Sequence, residues 1–149
     1  MNGRYYLSMK RVSFETELDG DLADSIVSAA RTGLGDTLRS VVYFTPSAFD
    51  VLYARRDLYG STDGVTEAKS QLVEFERMGF AERPVRTAIA RRDVGSDIGR
   101  YEFTVRFHEN GFVVRIIEGD AGVLFTADDM DVRSFEDAAS AITGLLADW

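Results

Sequence analysis

At 149 residues, with 45% hydrophobic and 11% aromatic residues, the chain is long enough for one domain with an ordinary core, which excludes a disordered segment. Its 25 acidic and 17 basic residues leave a formal net charge of -8, a balance that disfavours a non-specific grip on nucleic acid. Cysteine is absent, which removes thiolate catalysis, cysteine-ligated metals and thiol switching.

The opening stretch MNGRYYLSMKRVSFE has no apolar core of the signal-peptide kind, and no run elsewhere approaches the roughly 18 apolar residues needed to span a bilayer. A cytoplasmic protein without membrane contact is expected. Residues 1–19 read as a leader that includes a first β-like run at KRVSFE, with Met9 as a second candidate start, and residues 20–149 as a single globular domain. In DLADSIVSAARTGL the residues Leu22, Ile26, Ala29, Ala30 and Gly33 share one face at helical spacing, with Asp21 as the expected N-cap and Gly33 or Gly35 as the stop. TLRSVVYF then reads as a buried strand, and after the turn signal TPSA the run FDVLYARRDL reads as its hairpin partner, with a helix over Phe49 to Leu58 capped by Ser47 as the competing reading. A second helix is predicted over STDGVTEAKSQLVEFERMGF, capped within Ser61 to Asp63, with Val65, Ala68, Leu72, Phe75 and Gly79 as its apolar stripe. Residues 81–99, with Pro84, Gly95 and Gly99, read as a long loop or irregular edge strand. RYEFTVRFHE, FVVRIIE and GVLFT follow as an antiparallel meander. Last, Ser134 is the expected cap of FEDAASAITGLLADW, whose stripe runs from Phe135 through Leu145 and Leu146 to Trp149 and predicts a docked final helix.

The order α-β-β-α-β-β-β-α predicts an α+β fold, a single antiparallel sheet of about five strands with helices on its faces. That order resembles the roadblock/LC7 family of signalling and GTPase-scaffold proteins and, more loosely, profilin-like sensor domains. The likeness implies a non-enzymatic regulatory or protein-interaction module, with a protein partner or a homodimer as its working form. The stretches DSIVSAARTGLGDTLRSVVYF, DVLYARRDL and ENGFVVRI also resemble a family of small haloarchaeal proteins over residues 20–147, with no activity to carry over. Composition agrees with a salt-loving source. Only Lys10 and Lys69 are lysine among the basic residues, and high salt would screen the self-repulsion of so acidic a surface.

Candidate chemistry is sparse. His108, the only histidine, lies in RFHENGFVVRII without the Gly-x-Ser-x-Gly or His-Glu-x-x-His spacing that would supply a nucleophile or a metal, so it reads as structural or solvated. TADDMD, with Asp128, Asp129 and Asp131, lacks the frame of a calcium loop and reads as surface and helix lead-in. No cofactor or metal is expected. An Asn110–Gly111 turn of the type I′ kind would pair Phe107 with Val114 and Arg106 with Arg115, putting Val105, Phe107, Val114 and Ile116 on the core face and Arg106, His108 and Arg115 on the other. If a helix covers that second face, the two arginines need Glu102, a carboxylate of the 63–80 helix, or a bound anion. The repeat of Ala54-Arg55-Arg56-Asp57 as Ala90-Arg91-Arg92-Asp93 extends this into a second reading, in which Arg55, Arg56, Arg91, Arg92, Arg106 and Arg115 form an anion cradle of a nucleotide-phosphate or other small-ligand sensor. A third reading, a hydrolase or isomerase using Glu102 or Glu118 beside Arg115, ranks last.

Overall fold

The computed structural model describes residues 16–58, 62–90 and 98–149; residues 1–15 of the expected leader, with its run at KRVSFE, and Arg91 and Arg92 lie outside these residues. Nine main elements follow in chain order: α1 (Gly20–Leu34), β1 (Leu38–Phe44), β2 (Phe49–Ala54), α2 (Thr62–Arg77), α3 (Arg83–Ala90), β3 (Thr104–His108), β4 (Gly111–Glu118), β5 (Ala121–Ala127) and α4 (Val132–Asp148). The strands form one sheet in the order β2-β1-β5-β4-β3, antiparallel throughout. This is the predicted α+β layout with one additional helix.

Alternation along the strands gives the sheet two unlike faces. On one, Val41, Val114, Ile116, Val123 and Phe125 meet Ile26 and Ala30 of α1 and Phe135, Ala138 and Ile142 of α4 in a mainly apolar core, with Asp50 of β2, 2% exposed and opposite Tyr43, as a buried charge on the same face. Gly33 lets the two helices touch, since a β-carbon there would stand 3.3 Å from the β-carbon of Ala138. On the other face Val42, Phe44, Val51, Val113 and Leu124 pack against Val65 and Val73 of α2.

Several local expectations are corrected. Asp19, not Asp21, caps α1, accepting from the backbone amides of Asp21 and Leu22 at 2.8 and 3.2 Å; Asp21 sits in the first turn, where a carboxylate suits the positive end of the helix dipole. Gly35 ends that helix at a positive φ of 59°. Asp131 caps α4, accepting from the Ser134 amide at 3.1 Å, so the helix begins two residues before the expected cap. Phe135 is buried as expected, but Trp149 follows the last helical residue and is 58% exposed, so it does not anchor the helix. Residues 81–90, expected as a loop or irregular edge strand, are helical: a 3-10 turn at Met78–Glu82 leads into α3, whose first turn accommodates Pro84. The cap expected at Ser61 to Asp63 lies outside the residues whose side chains are described.

The stripe of α2 is turned relative to the apolar reading. Val65, Lys69, Val73 and Glu76 are buried, whereas Ala68 is exposed and Phe75 is 44% exposed. Hydropathy alone excludes a charged residue from the inward face, but Glu76 is held there by arginines of the sheet.

The β3–β4 hairpin turns on Glu109 and Asn110, pairing His108 with Gly111, Phe107 with Phe112, Arg106 with Val113, and Thr104 with Arg115. A type I′ turn at Asn110–Gly111 is ruled out because neither residue has positive φ. Gly111 is needed within the strand instead, where a β-carbon would lie 2.6 Å from the Ala127 carbonyl oxygen of β5. The register therefore differs by two positions from the expected one. A two-residue shift preserves faces, so Arg106 and Arg115 remain on one side of the sheet, diagonal instead of opposite. Phe107 leaves the expected core patch and is 72% exposed at the edge of the sheet.

Candidate functional site

Strand β3 is an outer strand, pairing only with β4 among the described residues. Its alternation sends Phe107 to the α1/α4 side, where the ring stands edge-on to Phe112 at 5.0 Å between centroids. Thr104, Arg106 and His108 point to the α2 side. There Phe75 of α2 meets them: the Arg106 guanidinium carbon lies 4.4 Å from the centre of its ring, and His108 stands edge-on to it at 6.5 Å. The strand is thus flanked on both faces by partly exposed aromatic rings.

Behind this edge lies a buried ion-pair node. Glu76, fully buried, accepts from Arg106 Nε at 2.9 Å and from Arg115 Nη1 at 3.4 Å. Arg115 is itself only 1% exposed. Its Nη2 donates to Glu82 at 2.9 Å, to the Thr104 hydroxyl at 2.9 Å and to the Tyr101 hydroxyl at 3.3 Å. Burial works against the guanidinium charge, but the Tyr101 hydrogen bond and the nearby Tyr101, Glu82 and Glu76 outweigh it, leaving the group more strongly basic than usual. Arg86 closes the node from α3, donating to the Gly79 carbonyl at 2.5 Å with its guanidinium 5.4 Å from the centre of the Tyr101 ring. Gly79 is required by close approach: a β-carbon there would fall 2.5 Å from Arg115 Nη1.

A separate cluster ties the far end of the sheet. Arg55 grips Asp128 with two donors, at 2.6 and 3.2 Å, and Asp57 with Nε at 2.7 Å, while Arg39 reaches Asp128 at 2.9 Å. The hydrogen bond from Arg55 holds the Asp128 carboxyl below the usual range. The TADDMD run therefore supplies an ion-pair acceptor in Asp128 and a helix cap in Asp131.

Of the six arginines expected to form a cradle, the four described are not gathered at one site. Arg106 and Arg115 share Glu76, Arg55 belongs to the Asp128 cluster, Arg56 is exposed beside it, and Arg91 and Arg92 lie outside the described residues. Glu102 and Glu118 do not pair with Arg115; they line a cavity of about 300 Å³ between α4 and the sheet, with Arg100 and Glu136. His108 is exposed beside Phe75. Sequence reasoning anticipates a carboxylate from α2 without singling out Glu76, and misses Glu82 and Lys69. The spacing of Lys69, Val73 and Glu76 is itself helical, a signal legible only once charges are admitted to the inward stripe.

Residues 24–147 match the family described as a domain of unknown function, DUF7522. The chain belongs to that family. No curated protein matches it. Among solved structures, the gliding protein MglB from Thermus thermophilus is similar over 93% of this DUF7522 chain and 100% of its own, at 15% identity and a TM-score of 0.54. A structure described as MglB with tetrameric arrangement is similar over 92% of this chain and 98% of its own, at 17% identity and a TM-score of 0.52. At these identities the likeness is one of fold, and it agrees with the roadblock-like element order.

Proposed function

We propose that this DUF7522 member is a regulatory or protein-interaction module that works by contact and not by catalysis, and that it pairs with a second copy of itself through β3. The observation that carries this reading is the outer edge of β3, unpaired among the described residues and flanked by Phe107, 72% exposed, and Phe75, 44% exposed. Unpaired strand edges invite pairing with another chain and are normally blunted by charge, proline or cover. Here a ring stands at the edge on each face, and burying both would add apolar area to main-chain hydrogen bonds. Self-association is also described for one solved neighbour of the same fold, in its tetrameric arrangement.

The acid-rich, lysine-poor composition supports a place in the cytoplasm of a salt-loving archaeon. Among the described residues no helix is long and apolar enough to cross a membrane. Two bodies of charge -8 repel at low ionic strength, so association should strengthen as salt rises. Light scattering coupled to size exclusion tests the reading. The native protein should run as a dimer in molar salt, and Phe107→Glu should run as a monomer that still unfolds cooperatively and loses only the concentration-dependent part of the native melting temperature. A native protein that stays monomeric at every salt and protein concentration rejects it.

A further inference from the structure

The end of the sheet near the β3–β4 turn holds a cavity of about 270 Å³ between the strands and α2, which shares His108 with the β3 edge but neither Phe75 nor Phe107. Its walls include Arg39 of β1, Lys69 of α2, His108 of β3 and Glu109 of the turn, so three basic side chains face one acidic one. Lys69 is 3% exposed, and burial, reinforced by the charge of Arg39, pushes its amine down to about 8. Whatever else Lys69 touches, the balance of its surroundings still disfavours its charge. Two cationic groups lining one cavity are the arrangement that an anion relieves.

We propose that this cavity is a binding site for a small phosphate, held between the guanidinium of Arg39 and the ammonium of Lys69. Asp128 occupies Arg39 Nη1, one group of a guanidinium that carries five donor hydrogens in a planar fork suited to phosphate oxygens. Lys69 adds a compact point charge on a flexible stem from the opposite wall. Leu72, also lining the cavity, offers an apolar surface for a short carbon chain. The volume lies at the lower limit of ligand pockets, roughly 300 Å³, which suits inorganic phosphate or a monoester of a few carbons and is too small for a nucleotide. Glu109 and the acidic body of the protein discourage loosely held anions, so occupancy depends on the two cations in the cavity.

The lone histidine makes the test direct, because the His108 ring gives a single set of imidazole resonances in this chain. Inorganic phosphate and glycerol 3-phosphate are titrated in turn at constant ionic strength, following those resonances by NMR and the heat by calorimetry. Saturable one-site binding that shifts the His108 ring is expected, with affinity falling about tenfold or more in Lys69→Met and in Arg39→Gln. Arg83→Gln, which removes a pair with Asp120 at the opposite end of β4, should bind as the native chain does. Equal affinity for the two anions identifies free phosphate as the ligand, and tighter binding of glycerol 3-phosphate identifies a monoester. The proposal is overturned if neither anion saturates the native protein, if the His108 ring stays unmoved while heat is released, or if both variants keep native affinity.

Discussion

Replacing Glu76 by glutamine removes one charge from a site that two arginines share, and the consequence follows from how unequally they are exposed. Arg106 has 31% of its side chain exposed and can turn towards water, losing a 2.9 Å bond and its contact with Phe75. Arg115 cannot: it is 1% exposed, and its remaining carboxylate is Glu82, whose side chain is 49% exposed. Breaking a buried pair from one side typically costs about 3–5 kcal/mol, because an uncompensated charge is left behind. The hydroxyls of Thr104 and Tyr101 and the carboxylate of Glu82 still serve Arg115, which points to the lower end, about 3 kcal/mol. For a chain of this size that corresponds to a fall of about 6–12 °C in Tm. Urea unfolding should show the loss as a lower midpoint with an unchanged slope. Since Glu76 is fully buried, the loss should be the same in dilute and in molar salt, unlike that of the exposed Arg83–Asp120 pair. Combining Glu76→Leu with Arg115→Met should recover most of the stability, because the desolvation cost of both charges disappears together. A Glu76→Gln protein within about 0.5 kcal/mol of the native one would refute the account of this node.

Gly79→Ala should destabilise by about 1–3 kcal/mol, because the new methyl meets both Arg115 and Ile117; chemical denaturation measures it. Trp149→Ala should change stability by no more than about 0.5 kcal/mol, since the ring is 58% exposed, whereas Phe135→Ala should cost about 3–5 kcal/mol. The folded state holds the Lys69 amine down at about 8, below its unfolded value, so between pH 8 and roughly 10 the unfolded chain binds more protons and stability rises with pH. Lys69→Met should flatten that rise and match or exceed native stability at pH 7, and a flat native profile from pH 8 to 10 in denaturant titrations counts against it.

Where one face of an element is apolar and the other polar, the sequence is a sufficient guide. Leu22, Ile26 and Ala30 of α1, the alternation of β4 and β5, and Phe135 to Ile142 of α4 all belong to the apolar face of the sheet, and their periodicity reads directly. The α2 face is harder because it is not purely apolar. Ser40 and Thr126 share a 2.6 Å hydrogen bond within it, and Lys69, Glu76 and Arg115 are buried there. A hydropathy stripe that avoids charge must then settle on the wrong side of the helix, preferring Phe75 to Glu76. The hairpin misreading has another cause. Asn-Gly is a local turn signal, but Gly111 answers to a non-local demand, the Ala127 carbonyl of the neighbouring strand β5. Helix α3 escapes notice because it is only eight residues long, too short for the helical spacing of Val85, Ala88 and Ile89 to stand out beside Pro84 and the glycines that follow.

The two faces also differ in what fastens them. The α1/α4 layer is held by non-directional apolar area, while the α2 layer adds ionic contacts that depend on charge and on the placement of single atoms. Those contacts join the open edge to the interior through a short path: Phe75 stacks on Arg106, Arg106 bonds to Glu76, and Glu76 bonds to Arg115. Arg106 is the charged member of that path that still reaches water. A chain laid along β3 would cover it, lower the effective dielectric around the Arg106–Glu76 pair and strengthen that attraction, while desolvating the guanidinium. Association at the edge and the hold on α2 would then be linked, each biasing the other by the same free energy. The mainly apolar layer on the opposite face, whose buried Asp50 is bonded to Thr16 at the other edge of the sheet, would serve as the fixed support against which that linkage acts.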